Sequence, residues 1–153
     1  MAVDMFLKID GIDGESQDKS HKGEIDVLSF SWGVHNTTSR GGSGGSSGKA
    51  TAEDFTFTHL VDKASPALML ACAAGRHIQQ AQLTVRKAGG DKTEFMKIRL
   101  EDCLVTSVAP DFNKADQSDL PLESFTFNFV KIDFTETAND GSVSEAVFTF
   151  STD

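Results

Sequence analysis

Most apolar side chains of this chain fall in short runs where apolar and polar residues alternate, a two-residue period that suits strands with one covered face. Val3, Met5, Leu7 and Ile9 interleave with Asp4, Phe6, Lys8 and Asp10. After the turn signals Asp10-Gly11 and Asp13-Gly14, a second strand is predicted from about Glu24 to Val34, with Ile25 and Val27 on one face and Leu28, Phe30 and Trp32 on the other. Further strands are expected over about Ala52 to His59 (Phe55, Phe57) and Ile78 to Lys87 (Ala81, Leu83, Val85). Ala88-Gly89-Gly90-Asp91 then turns the chain into a return strand carrying Met96, Ile98 and Leu100, extended by Cys103, Val105 and Val108, which makes a long hairpin. Phe125, Phe127 and Phe129 hold one phase, Val130, Ile132 and Phe134 the opposite one, and Ala146, Phe148 and Phe150 form a last strand. The phase flips at Leu28 and near Val130 mean either a bulge or burial of both faces, as a curved barrel would have.

Only Ser65 to Ala74 has the marks of a helix, with Ser65 as N-cap, Pro66 at the first helical position and Gly75 as the stop. Its interior, Ala67 to Ala74, has no charged residue at any angle, whereas a helix lying on a barrel's outer wall should show water a polar stripe. Leu68, Met69 and Cys72 are therefore candidate contacts to a neighbouring subunit; the alternative is a small-residue helix left partly exposed. His35 to Lys49 contains Arg40, Gly41, Gly42, Ser43, Gly44 and Gly45 in a polar tract without apolar anchors. It reads as a flexible projecting hairpin tip at 36–49 that orders on contact, or as a loose loop. The connection from Ala109 to Pro121 carries the same ambiguity.

Several patterns resemble chemistry and fail on context. Gly41 to Gly45 matches G-x-S-x-G, but a nucleophile elbow needs a strand before it and a helix after it. Gly48-Lys49 lacks both the upstream glycine, since Ser43 stands there, and the Ser/Thr of a P-loop, since Ala50 follows. The acidic residues Asp10, Asp13, Glu15 and Asp18 surround Ile12, which occupies a position needing an oxygen ligand in a calcium loop. His21, His35, His59 and His77 show no metal-ligand spacing. No catalytic residue, metal or cofactor is expected.

Length and charge bound the rest. A chain of 153 residues suits one domain with its own core. Lys+Arg 14 against Asp+Glu 23 leaves a formal charge of -9, which repels nucleic acid and an anionic membrane surface. No stretch approaches the roughly 20 apolar residues of a membrane span, so no membrane insertion is expected. Asp4 and Lys8 interrupt the region where a signal peptide would keep its apolar run. Cys72 and Cys103, far apart and apolar-flanked, read as buried free thiols. With Phe 12, no Tyr and one Trp, aromatic content is mainly core filler.

Four ordered blocks carry a family resemblance. They are Met1 to Ile9 with Gly14-Glu15-Ser16; Glu24 to Gly33; Ser65 to Cys72 running into Leu83 to Gly89; and Leu122 to Phe129. In this set the chain resembles the haemolysin co-regulated protein (Hcp) family, the inner-tube component of type VI secretion systems. The resemblance implies a mainly β fold, a closed two-sheet β-barrel with one short α-helix at its side, as a single domain over 1–153. It implies a homohexamer closed into a ring, with rings stacked into a tube that is fired by a contractile sheath, capped by a trimeric VgrG-like spike protein and able to carry effector proteins in its lumen. Export without a signal peptide, from bacterial cytoplasm to medium or target cell, follows from the same likeness. The Gly/Ser tract falls where the family has an extended hairpin, hence a ring-stacking or inter-subunit role for Arg40 to Gly45. Ser29 and Ser31, polar positions within a strand, are candidates for facing the lumen. The alternative reading is a monomeric β-sandwich binding module.

Overall fold

The computed structural model describes residues 3–37, 49–111 and 121–150. The alternating runs become eleven strands and one helix: β1 (Val3–Ile9), β2 (Ile25–Asp26), β3 (Ser29–Ser31), β4 (Val34–Thr37), β5 (Lys49–Ala52), β6 (Phe55–Leu60), α1 (Ala64–Ala74), β7 (His77–Lys87), β8 (Glu94–Asp111), β9 (Leu122–Asn128), β10 (Lys131–Thr137) and β11 (Val143–Thr149). The main sheet runs β2-β1-β7-β8-β9-β6-β3, with β10 on β8 and β11 on β10; β4 and β5 form a separate two-stranded ribbon. The expected pairing across the Gly/Ser tract is therefore present at its base, Thr37 facing Lys49. Arg40, Gly41, Gly42, Ser43, Gly44 and Gly45 lie outside the described residues, as does most of the Ala109 to Pro121 connection.

Strand β8 organises the molecule because its length lets it serve different neighbours in succession. Residues 96–101 pair with β10, and residues 104–111 pair with β9. The change of partner falls at Asp102, whose φ of 55 lies in the left-handed region that Asp tolerates better than most residues. Just beyond, the register to β9 shifts between Val105 and Ser107, and the hydroxyl of Thr106 donates to Asp54 at 2.7 Å. A kink followed by a bulge bends the strand and splits one ladder into two.

The expected closed barrel is not what forms. The sheet path is open, its ends being the two-residue β2 and the three-residue β3, and the layers face each other as a β-sandwich. Consecutive amides explain why: Val27 N–H donates to Met5 on one edge at 3.0 Å, and Leu28 N–H to Thr58 on the other at 2.8 Å. The segment thus crosses from one edge to the other, leaving only the short ladders of β2 on β1 and β3 on β6. The phase flip at Leu28 marks this break, and Leu28 points to solvent instead of joining Phe30 and Trp32 against the core. Similarly, the flip near Val130 separates two strands, β9 and β10, and is not a bulge within one.

The core is densest where β6 meets β9. Phe55 pairs with Phe127 and Phe57 with Phe125, all four fully buried, with ring centroids 4.7 Å (Phe55–Phe57) and 5.4 Å (Phe57–Phe125) apart. On β1, Leu7 and Ile9 are buried as expected and Met5 is half-buried, but Val3 at the strand's start is exposed and Phe6, on the supposedly wet face, is also buried. The loop from 13 to 24 covers it: His21 stacks on its ring at 4.4 Å, and the Arg86 guanidinium lies 4.8 Å from its centroid. Arg86 is held in turn by Asp18 and Asp4, and His21 lies between Glu24 and Glu94. Gly14 lets this loop close, since a Cβ there would lie 2.6 Å from the Glu24 carbonyl oxygen.

Candidate functional site

Helix α1 starts two residues earlier than its sequence signals suggest, and Ser65 is not its N-cap. Lys63 holds that position without a side-chain cap. The orphan amides of the first turn find carboxylates instead: Ala64 N–H donates to Asp62 at 2.8 Å and Lys63 N–H to Glu15 at 2.6 Å. Ser65, buried, accepts from Asp62 N–H through its hydroxyl at 3.1 Å. The other end behaves as expected. Gly75 is left-handed (φ 61), and Gly75 and Arg76 donate to the carbonyls of Cys72 and Ala71, the hydrogen-bond pattern of a Schellman stop.

Beneath the helix start lies His59, fully buried, with Nε2 2.8 Å from Glu123 and Nδ1 3.8 Å from Asp62. Burial alone would depress its pKa, but the two carboxylates outweigh that and raise it above the usual histidine range. The residue that helps cap α1 thus also belongs to a buried charged cluster.

The helix divides its uncharged surface in two. Ala64, Ser65, Leu68 and Ala71 are buried, and Cys72 is half-buried. Met69 and Leu70 stand 56% and 51% exposed. Of the three residues marked from sequence, Leu68 thus faces the core and Met69 faces outward; Leu70 is the outward residue that the pattern did not single out. Ser29 and Ser31 are exposed on β3, flanking the half-buried Phe30.

A second apolar feature was not legible in the sequence. A groove of about 450 Å³ opens between the β4–β5 ribbon and the β10–β11 hairpin, lined chiefly by Trp32, Val34, Ile132, Phe134, Phe148 and Phe150. Trp32 stacks on Phe55 at 5.7 Å, so one side of the indole is core and the other forms the groove wall. Phe148, named with Ala146 and Phe150 in the last strand, is 49% exposed. The acidic side chains Glu136 and Glu145 edge the groove.

Cys103 is fully buried, and burial pushes its thiol up to about 12. Among the described residues no group of three or more His, Cys, Asp or Glu is placed to hold a metal ion, and no helix is long and apolar enough to cross a membrane.

The fold that carries these features is shared with known proteins. Residues 6–135 match the family described as type VI secretion system effector, Hcp. The chain is 44% identical over 146 residues to Protein hcp1 of Pseudomonas aeruginosa, covering 93% of this chain and 89% of that one. The crystal structure of Hcp1 from Salmonella typhimurium superposes with TM-score 0.85 at 37% identity, covering 98% of this chain and 96% of that chain. A type VI secretion system effector from Yersinia pestis superposes with TM-score 0.80 at 36% identity, covering 95% and 99%. The fold is thus that of a type VI secretion protein. The chain belongs to the Hcp family, whose members are secreted and serve that machinery as structural proteins and not as enzymes.

Proposed function

We propose that the chain, acting as one domain over 1–153, is a ring-forming subunit of the type VI inner tube: six copies close a ring, rings stack, and the tube is exported with effector proteins in its lumen. The observation that carries this reading is the outward face of α1. Met69 and Leu70 are large apolar residues on a helix whose interior holds no charge, a surface that favours cover by another chain. An unlike-to-unlike contact whose rotation closes makes a ring. In the assembled tube, Arg40 to Gly45 contact the neighbouring ring or subunit, and Ser29 and Ser31 face the lumen. The contractile sheath lies outside and the trimeric spike caps the end.

Light scattering across a wide concentration range tests the ring, with six times the monomer mass expected. A species that stays monomeric throughout would refute it and favour the second reading, a monomeric β-sandwich binding module using the groove beside Trp32. Shortening Gly41 to Gly48 separates stacking from folding: tube formation should fall while the melting temperature holds.

A further inference from the structure

A ring built from unlike contacts needs two different surfaces that fit each other, one at each side of the subunit. The outward face of α1 supplies one. Its large exposed residues are a flexible Met69, which adapts to irregular hollows, and Leu70. Basic residues bracket it: Lys63 at its start and Arg76 just past Gly75. Neither side chain forms an ion pair among the described residues.

The groove has the complementary character. Its walls are aromatic and aliphatic, and Glu136 and Glu145 at its edge are acidic. Glu145 sits against Asp133, whose carboxylate holds the Glu145 carboxyl above the usual range. Arg99 already bonds Asp133 at 3.0 Å. An added cation at this edge would relieve the remaining repulsion. Such a local pairing matters for a chain of formal charge -9, whose copies otherwise repel.

The two surfaces do not satisfy each other within one copy. His77, just past the helix, pairs with Leu104 of β8, whereas β10, which forms the groove floor, pairs with residues 96–101. Both Met69 and Phe148 remain about half exposed.

We infer that these are the two halves of one contact: Met69 and Leu70 of one copy enter the groove beside Trp32 and Phe148 of the next, and Arg76 meets Glu136 and Glu145. The inference rests on the ring reading above and adds which surface covers the helix.

Disulfide trapping in the full chain tests it. In a Cys72→Ala background, with buried Cys103 left in place, Met69→Cys and Ser144→Cys are introduced singly and together; Ser144 lines the groove. On oxidation the double variant should give a covalent ladder up to the full ring, and each single variant only monomer. A ring-sized particle in solution without the ladder overturns the pairing and leaves the ring reading standing. A dimer from Met69→Cys alone means the helix packs on its own counterpart, which also overturns the pairing. A double variant that is monomeric in solution, in a background that is monomeric as well, overturns both. Arg76→Glu should weaken assembly roughly tenfold, about 1.4 kcal/mol, and adding Glu145→Arg should recover it. No recovery overturns the charged half of the contact.

Discussion

The β6–β9 pair and the β10–β11 hairpin are written in nearly the same alphabet, alternating phenylalanines with Thr, Ser and Glu, yet one is sealed and the other open. Phe55, Phe57, Phe125 and Phe127 are fully buried, while every residue of β11 is exposed and Phe148 is half so. Alternation fixes which side chains share a face; it does not say whether anything lies over that face. The β6–β9 layer has the rest of the sandwich above it. β11 is the last strand on a branch that pairs only with β10, and its apolar side chains wait for a partner outside the described chain. The sharpest test of this difference is Phe57→Ala, which should cost about 3–5 kcal/mol in urea denaturation because the surrounding rings cannot collapse into the space. A loss near 1 kcal/mol would mean the pair is not the sealed layer described.

The cluster under α1 is the next largest effect and depends on pH. His59 has a raised pKa in the folded protein, so its contribution is fully present below the unfolded value near 6.5 and disappears as pH rises through the higher folded value. His59→Gln should therefore cost about 1.5–3 kcal/mol at pH 6 and progressively less in alkaline buffer. Parallel stability curves for the two proteins across that window would show that the imidazole is neutral when folded. Asp18 has the opposite sign. Arg86 holds its pKa down at about 2, so its contribution is present above the usual carboxylate value and fades as pH falls toward 2. Asp18→Asn should flatten the acid limb of the curve and leave the alkaline limb unchanged.

Gly14 comes between these polar groups and the surface. Gly14→Ala places a Cβ 2.6 Å from a backbone oxygen, and an overpacked site of this kind costs about 1–3 kcal/mol. The loss should be accompanied by faster amide exchange in residues 13–24, since the loop that covers Phe6 must move to admit the methyl. Unchanged exchange with the same loss would place the strain elsewhere.

What could be read from the residues follows the same division between local pattern and distant cover. The hairpin across Gly89-Gly90 and the Gly75 stop are set by neighbours in sequence and stand as expected, whereas the strand read from Glu24 to Val34 is broken into β2, β3 and the start of β4. Phe6 reads as wet from its neighbours in sequence, because its cover, His21 and Arg86, comes from a loop and from β7, which is far from β1 in sequence and beside it only in the fold. Ser65 resembled a cap, but Glu15 and Asp62 take that role, one of them reaching in from across the molecule. The closed barrel failed at two residues, Val27 and Leu28, where successive amides bond to opposite edges. Their apolar pattern signals a break but cannot say which edge each amide will find. The groove was invisible for a similar reason. Trp32, Phe134 and Phe148 come from three segments, and only the fold makes them one surface.

The smallest expected effect isolates the uncovered side of the comparison. Phe148→Ala removes a side chain that is already half in water, so the folded monomer should lose less than about 1 kcal/mol, the range of changes away from a packed core. Phe150, next but one along the chain and touching both Phe148 and Phe129, limits any collapse. The same substitution takes away part of a groove wall, so its weight should fall on association. Measured together, a near-native denaturation midpoint and a reduced assembled fraction would mark Phe148 as a residue kept for a neighbour. A midpoint that falls as far as that of Phe57→Ala would erase the distinction between the two faces and make β11 part of the core.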